Sequence, residues 1–140
     1  MSDKKSLIVD DDPSVTKFIK AVLESDGHQT TEAENGVQAL DLLRKACGAV
    51  DLLVSDIKMP VMDGIALACS VRAEFPAIQI ILISGYAATE QGHQSSTAFE
   101  FLQKPFLPAT LLTLVKKVTV LKRRSASTET RAMSAKGGAD

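Results

Sequence analysis

The stretch Ser6-Leu7-Ile8-Val9-Asp10-Asp11-Asp12-Pro13 changes character within one residue: a short apolar run with β-branched members meets three carboxylates and a proline. So short an apolar run, bounded so sharply, is expected of a buried strand that ends in a loop. Asp12 is suited to be the N-cap of a helix whose first residue is Pro13. Val15, Phe18, Ile19, Val22 and Leu23 then follow at helical spacing until Asp26-Gly27 stops the pattern.

Strand, loop and helix recur downstream. His28 to Ala33 is a weaker, polar strand expected at a sheet edge, and Asn35-Gly36 leads into an amphipathic helix through Val37, Leu40 and Leu43 to about Ala46. Val50 to Ser55 is a strongly apolar strand running into Asp56. After a loop with Met59-Pro60, a third helix opens at Asp63-Gly64 and ends near Phe75-Pro76. Ile78 to Ile83 is the most β-prone run, expected to be a central strand, and it ends in Ser84-Gly85. Ala87 to Ala98 offers only alanine as apolar content, which predicts a short or mobile fourth helix whose amides exchange faster than those of the others. Phe99 to Gln103 supplies a fifth strand and Lys104-Pro105 a junction. Pro108 opens a last helix with Leu111, Leu112, Val115 and Val118 as its core stripe, ending near Arg123 or Arg124.

At 140 residues the chain has room for one ordinary domain, expected over residues 1–124. Residues 125–140 are small and polar, cannot offset their ordering entropy, and are expected to be disordered. Hydrophobic residues at 45% and charged residues at 24% fit a soluble globular protein. A net charge of -1 without a face-length run of Lys and Arg argues against direct nucleic-acid binding. Cys47 and Cys69 lack metal-ligand spacing and are expected as small buried hydrophobes in a reducing compartment. His28 and His93 stand isolated and read as surface or structural residues. No apolar segment approaches the roughly 18 residues of a membrane span, so a cytoplasmic protein with no membrane partner is expected.

Five strands alternating with five helical patterns imply right-handed crossovers and a doubly wound α/β layout, a parallel sheet covered on both faces. Function then belongs at strand C-termini, where Asp10, Asp11, Asp56, Ser84 and Lys104 would share one rim. Carboxylates gathered in one crevice repel one another unless a cation compensates them, and oxygen-only ligands suit Mg²⁺. A carboxylate beside Mg²⁺, a hydroxyl and an ammonium is what phosphoryl transfer requires. Asp56, alone at the end of its strand, is the natural nucleophile. Each residue also has a plainer explanation: a helix cap for the Asp10 to Asp12 run, a turn former for Asp56, a strand terminator for Ser84, a solvated charge for Lys104. All four plain explanations would have to put compatible groups on one rim by accident.

The segments Leu7 to Pro13 (LIVDDDP), Asp51 to Gly64 (DLLVSDIKMPVMDG), Ile81 to Gly85 (ILISG) and Phe101 to Phe106 (FLQKPF) resemble the receiver domains of bacterial response regulators, over about residues 5 to 122. The resemblance implies a flavodoxin-like (βα)5 fold with strand order 2-1-3-4-5, a signalling phosphoacceptor of a two-component system and not a conventional enzyme. It further implies that Asp11, Asp56 and the backbone carbonyl of Lys58 ligate Mg²⁺, with Asp10 acting mainly through water. Asp56 would take a phosphoryl group from a histidine kinase, a phosphotransfer protein or a small phosphodonor. Ser84 and Lys104 would hold its oxygens, Phe101 would be the aromatic that swings inward with Ser84, and the Lys104-Pro105 peptide would be cis. Lys58 and Tyr86 occupy positions that tune hydrolysis in the family, and a homodimer on activation is possible.

Ser84 replaces the more frequent Thr, keeping the donor and losing a methyl. The segment between Ser84 and Lys104 is short and lacks an amphipathic fourth helix, so the downstream effector is not named by the sequence. Two other readings stay open. Asp10-x-Asp12 also resembles the nucleophile motif of haloacid-dehalogenase-type phosphohydrolases, though the chain is short for that family, and a receiver-like scaffold could act without phosphorylation. Either a stand-alone regulator or a receiver cut from a larger chain fits this length.

Overall fold

The computed structural model describes residues 4–85 and 99–119. In chain order these form β1 (Lys5–Val9), α1 (Pro13–Ser25), β2 (Gln29–Ala33), α2 (Gly36–Lys45), β3 (Leu52–Asp56), α3 (Gly64–Glu74), β4 (Gln79–Ser84) and β5 (Glu100–Gln103). A last helix covers residues 108–119. All four strand pairings are parallel, in the order β2-β1-β3-β4-β5. The expected fourth helix, Tyr86, His93, the end of the last helix and the tail beyond residue 124 lie outside the described residues.

Alternation along the strands divides the core in two, because successive side chains leave a strand on opposite faces. Leu7, Val9, Leu53, Ile80 and Leu82 pack with Leu40 and Leu43 of α2 and Leu67 and Val71 of α3. Ile8, Leu52, Val54, Ile81 and Ile83 pack on the other face with Ile19 and Leu23 of α1 and Leu111, Val115 and Val118 of the last helix. β1, β3 and β4 are therefore apolar on both faces over Leu7 to Val9, Leu52 to Val54 and Ile80 to Ile83. The edge strand β2 tolerates the polar QTTEA, with only Ala33 buried.

Helices α1, α2 and α3 each start where a polar cap residue stands. The side chains of Asp12, Asn35 and Asp63 accept hydrogen bonds from the N–H groups of Ser14, Gln38 and Ala66. Such caps satisfy donors that would otherwise lack a partner at the first turn. The strands run slightly later than their apolar runs suggest: β3 begins at Leu52, not Val50, and includes Asp56, while β4 extends through Ser84. The sheet ladder carries these polar residues because its neighbours supply hydrogen bonds out to that point.

Three apolar expectations are corrected. Val37 is exposed, because the inward face of α2 is Gly36, Ala39, Leu40 and Leu43. Phe18 is also exposed and meets the ring of Phe106 at a centroid distance of 5.6 Å. Neither cysteine is buried. Cys47 takes a left-handed φ of 54° in the turn that ends α2, and Cys69 lies off the inward stripe of α3 formed by Gly64, Leu67, Ala68 and Val71. His28, by contrast, is a structural residue: it is buried, with Nδ1 2.7 Å from the buried Ser6 hydroxyl. Among the described residues no helix is long and apolar enough to cross a membrane.

Candidate functional site

Asp10 follows β1 directly, and its N–H donates to the Ala33 carbonyl at 3.2 Å, which holds it at the sheet rim. One carboxylate oxygen accepts the Asp12 N–H at 2.9 Å; the other, Oδ2, is buried with no hydrogen-bond partner. Asp11 between them is exposed. Two strands away in the chain, Asp56 closes β3, buried at the same rim. The chain after it is fixed by the Ile57 N–H donating to Ile83 at 2.9 Å and the Gly64 N–H donating to Ile57 at 2.7 Å.

Gly64 makes that return possible. A Cβ at this position would lie 2.1 Å from the Asp56 carbonyl oxygen, so only glycine lets α3 start against the end of β3. Sequence reading took Gly64 as a helix opener and missed its part in backing Asp56; a glycine directly after a capping aspartate gave too weak a signal.

Ser84 ends β4, buried, and its carbonyl accepts the Lys104 N–H at 2.7 Å just past β5. That tie brings Lys104 to the rim, where its Nζ lies 3.4 Å from Asp56 Oδ1 and 3.8 Å from Asp10 Oδ2. The Lys104-Pro105 peptide is cis, as expected. Asp10, Asp11 and Asp56 each present a carboxylate oxygen, all within 4.8 Å of one another. Lys58 belongs to the loop after β3 and, with Ile57, Met59, Pro60 and Asp63, lines an open cleft of about 470 Å³. Phe101 is half-buried against the α2 and α3 side of the core, paired in register with Leu82.

The electrostatics are those of a buried acidic pocket. Burial is the largest influence on Asp10 and pushes its carboxyl up to about 6, with Asp56 and Asp11 adding to the rise and Lys104 opposing it. Burial likewise raises Asp56, while the Lys104 ammonium works against the shift. Lys104 thus faces Asp10 and Asp56 of the three-carboxylate cluster, and a buried oxygen of Asp10 lacks the hydrogen bond its desolvation calls for. A hard divalent cation with oxygen ligands fits this donor set.

The family model for the response regulator receiver domain matches residues 6–116. The chain is 39% identical over 114 residues to the sensor kinase CckA of Brucella abortus, covering 80% of this chain and only 12% of that protein's length. It is 33% identical over 124 residues to sporulation initiation phosphotransferase F of Bacillus subtilis, covering 87% of this chain and 98% of the relative. A crystal structure of the response regulator TrrA from Thermotoga maritima in complex with Mg(2+)-BeF is 34% identical, with a TM-score of 0.71 over 81% of this chain and 97% of the other. An acidic pocket at the C-terminal rim of a 2-1-3-4-5 sheet and a family match over most of the chain agree, and this chain belongs to the response regulator receiver domains of two-component signalling.

Proposed function

We propose that this receiver domain accepts a phosphoryl group on Asp56 with Mg²⁺ bound beside it, and that the modification controls a partner-binding surface. The observation that carries the reading is the convergence of three carboxylates within 4.8 Å, with the Lys104 ammonium 3.4 Å from Asp56. The Mg(2+)-BeF complex of the TrrA relative supports it.

In this reading Asp11, Asp56 and the backbone carbonyl of Lys58 hold the cation, and Asp10 contributes through water. When bound, Mg²⁺ supplies positive charge to the phosphoryl oxygens. An oxygen of the Asp56 carboxylate attacks phosphorus as the bond to the donor's nitrogen or oxygen breaks, giving an acyl phosphate and the released donor. Lys104 opposes the upward shift that burial imposes on the Asp56 carboxyl and pairs with a phosphoryl oxygen. The Ser84 hydroxyl donates to another. Phe101 follows Ser84 inward, which gives the charge change at the rim a mechanical readout. The phosphoryl donor is a histidine kinase or a phosphotransfer protein, and the chemistry confined to the domain is its own phosphorylation and dephosphorylation.

Acetyl phosphate labelling with and without Mg²⁺, followed by mass-spectrometric site mapping, tests the proposal. Mg²⁺-dependent addition of one phosphoryl group at Asp56, lost in Asp56→Asn, is expected. A label on Asp10 would point to phosphohydrolase chemistry, and no label on the parent would leave a scaffold without phosphorylation.

A further inference from the structure

Ser55 stands one residue before Asp56 on β3, and its side chain is wholly buried. In register it lies between Val9 of β1 and Leu82 of β4, on the sheet face that packs against α2 and α3. A hydroxyl in so apolar a place costs stability unless it is hydrogen-bonded, and alanine would occupy the position without that cost. The bond this hydroxyl makes is to the next residue: Ser55 Oγ donates to the Asp56 carbonyl at 2.9 Å.

That carbonyl sits where the sheet stops holding it. β1 pairs with β3 only as far as Val9 opposite Ser55, so the Asp56 carbonyl lies beyond that ladder. The backbone of Gly64 presses on it, since a Cβ there would come within 2.1 Å of the oxygen. The N–H of the same peptide unit belongs to Ile57 and donates to the Ile83 carbonyl at 2.9 Å. It also favours the charged form of the Asp56 carboxylate. Because a peptide unit is planar, a hydroxyl that fixes its carbonyl fixes the N–H as well, and with it the way the chain leaves Asp56 toward Lys58.

We propose that Ser55 is a positioning residue for phosphoryl transfer at Asp56: its buried hydroxyl locks the peptide unit behind the nucleophile, so that the carboxylate meets the acidic rim in one orientation. This rests on the reading of Asp56 as the phosphoacceptor. Ser55 does not touch the reacting atoms. It acts through the backbone of Asp56, and attack on phosphorus is sensitive to such support because small misplacements of a nucleophile slow transfer steeply.

The test compares the parent, Ser55→Ala and Ser55→Thr in acetyl phosphate labelling of Asp56 at saturating Mg²⁺, and in amide hydrogen exchange of Ile57 and Leu53 in EDTA. Urea unfolding checks that each variant is folded, in which case lost stability by itself leaves the labelling rate unchanged. Ser55→Ala should slow labelling about 3- to 10-fold, the range that one ordinary hydrogen bond spans. Its Ile57 exchange should quicken at least about 3-fold more than its Leu53 exchange, because the loosening is local. Ser55→Thr restores the hydroxyl and should be labelled within about 2-fold of the parent. An Ala variant labelled as fast as the parent overturns the inference. Equal quickening of Ile57 and Leu53 overturns it as well, since the hydroxyl would then serve global stability alone. So does a folded Thr variant as slow as Ala; if the added methyl prevents folding, labelling and Ile57 exchange in the Ala variant decide. A parent without label at Asp56 sinks the phosphoacceptor reading and this inference with it, whereas a labelled parent matched by its Ala variant sinks this inference alone.

Discussion

Asp10 has one carboxylate oxygen bonded to the Asp12 N–H and the other buried without a hydrogen bond, 3.8 Å from Lys104. Holding a charge there costs stability, because burial and the neighbouring acids both favour the protonated form. Asp10→Asn keeps an acceptor for Asp12 and removes the charge, so in EDTA it should stabilise the fold by about 1–3 kcal/mol, read from urea unfolding. Added MgCl₂ should then raise the parent's unfolding midpoint more than the variant's. An Asn variant less stable than its parent in EDTA would contradict this account. Residue types made the rim readable in advance, since three acids, a hydroxyl and a lysine at strand ends have few joint uses. They said nothing of which oxygen would be left unbonded, which depends on packing. The exposure of Cys47 escaped for a related reason: its place in a helix-ending turn, not its hydrophobicity, decides where it sits.

Between β3 and α3 the return of the chain depends on Gly64, whose Cα faces the Asp56 carbonyl. Gly64→Ala should destabilise the domain by about 3 kcal/mol, lowering its urea midpoint, because the clash is with backbone and not with a side chain that could move aside. A change within about 0.5 kcal/mol would mean that α3 shifts freely, and Asp56 would then be less tightly backed than the hydrogen bonds at Ile57 and Gly64 suggest. Capping residues located the starts of α1, α2 and α3 from local chemistry alone. Strand ends were less legible: Asp56 and Ser84 complete β3 and β4 because adjacent strands pair with them, and polarity by itself gives no sign of that.

The whole sheet has a second polar feature at the opposite end of its strands from the acidic rim. His28, just before β2, meets Ser6 of β1 at 2.7 Å and lies 3.8 Å from Asp26. Burial holds His28 below its ordinary value of 6.5; Asp26 and Asp51 oppose the shift and Lys4 adds to it. The unfolded chain therefore binds the proton first as the pH falls. The stability His28 contributes is complete above about pH 6.5 and is lost as the pH drops through that value toward the lower folded one. Urea unfolding of the parent and His28→Gln between about pH 5 and 7.5 should show the parent losing stability relative to the variant on acidification. A pH-independent difference would refute it. By itself, the order of residues determined the alternation of strands and helices, the apolar character of the inner strands and the acids at their ends, because periodicity, caps and turns act over a few neighbouring residues. Only the tertiary structure decided that Lys104 reaches Asp56 and Asp10, that Gly64 is pressed against Asp56 and that His28 is buried. Those outcomes depend on contacts between segments far apart in the chain, where distance and dielectric, not residue type, set the energy.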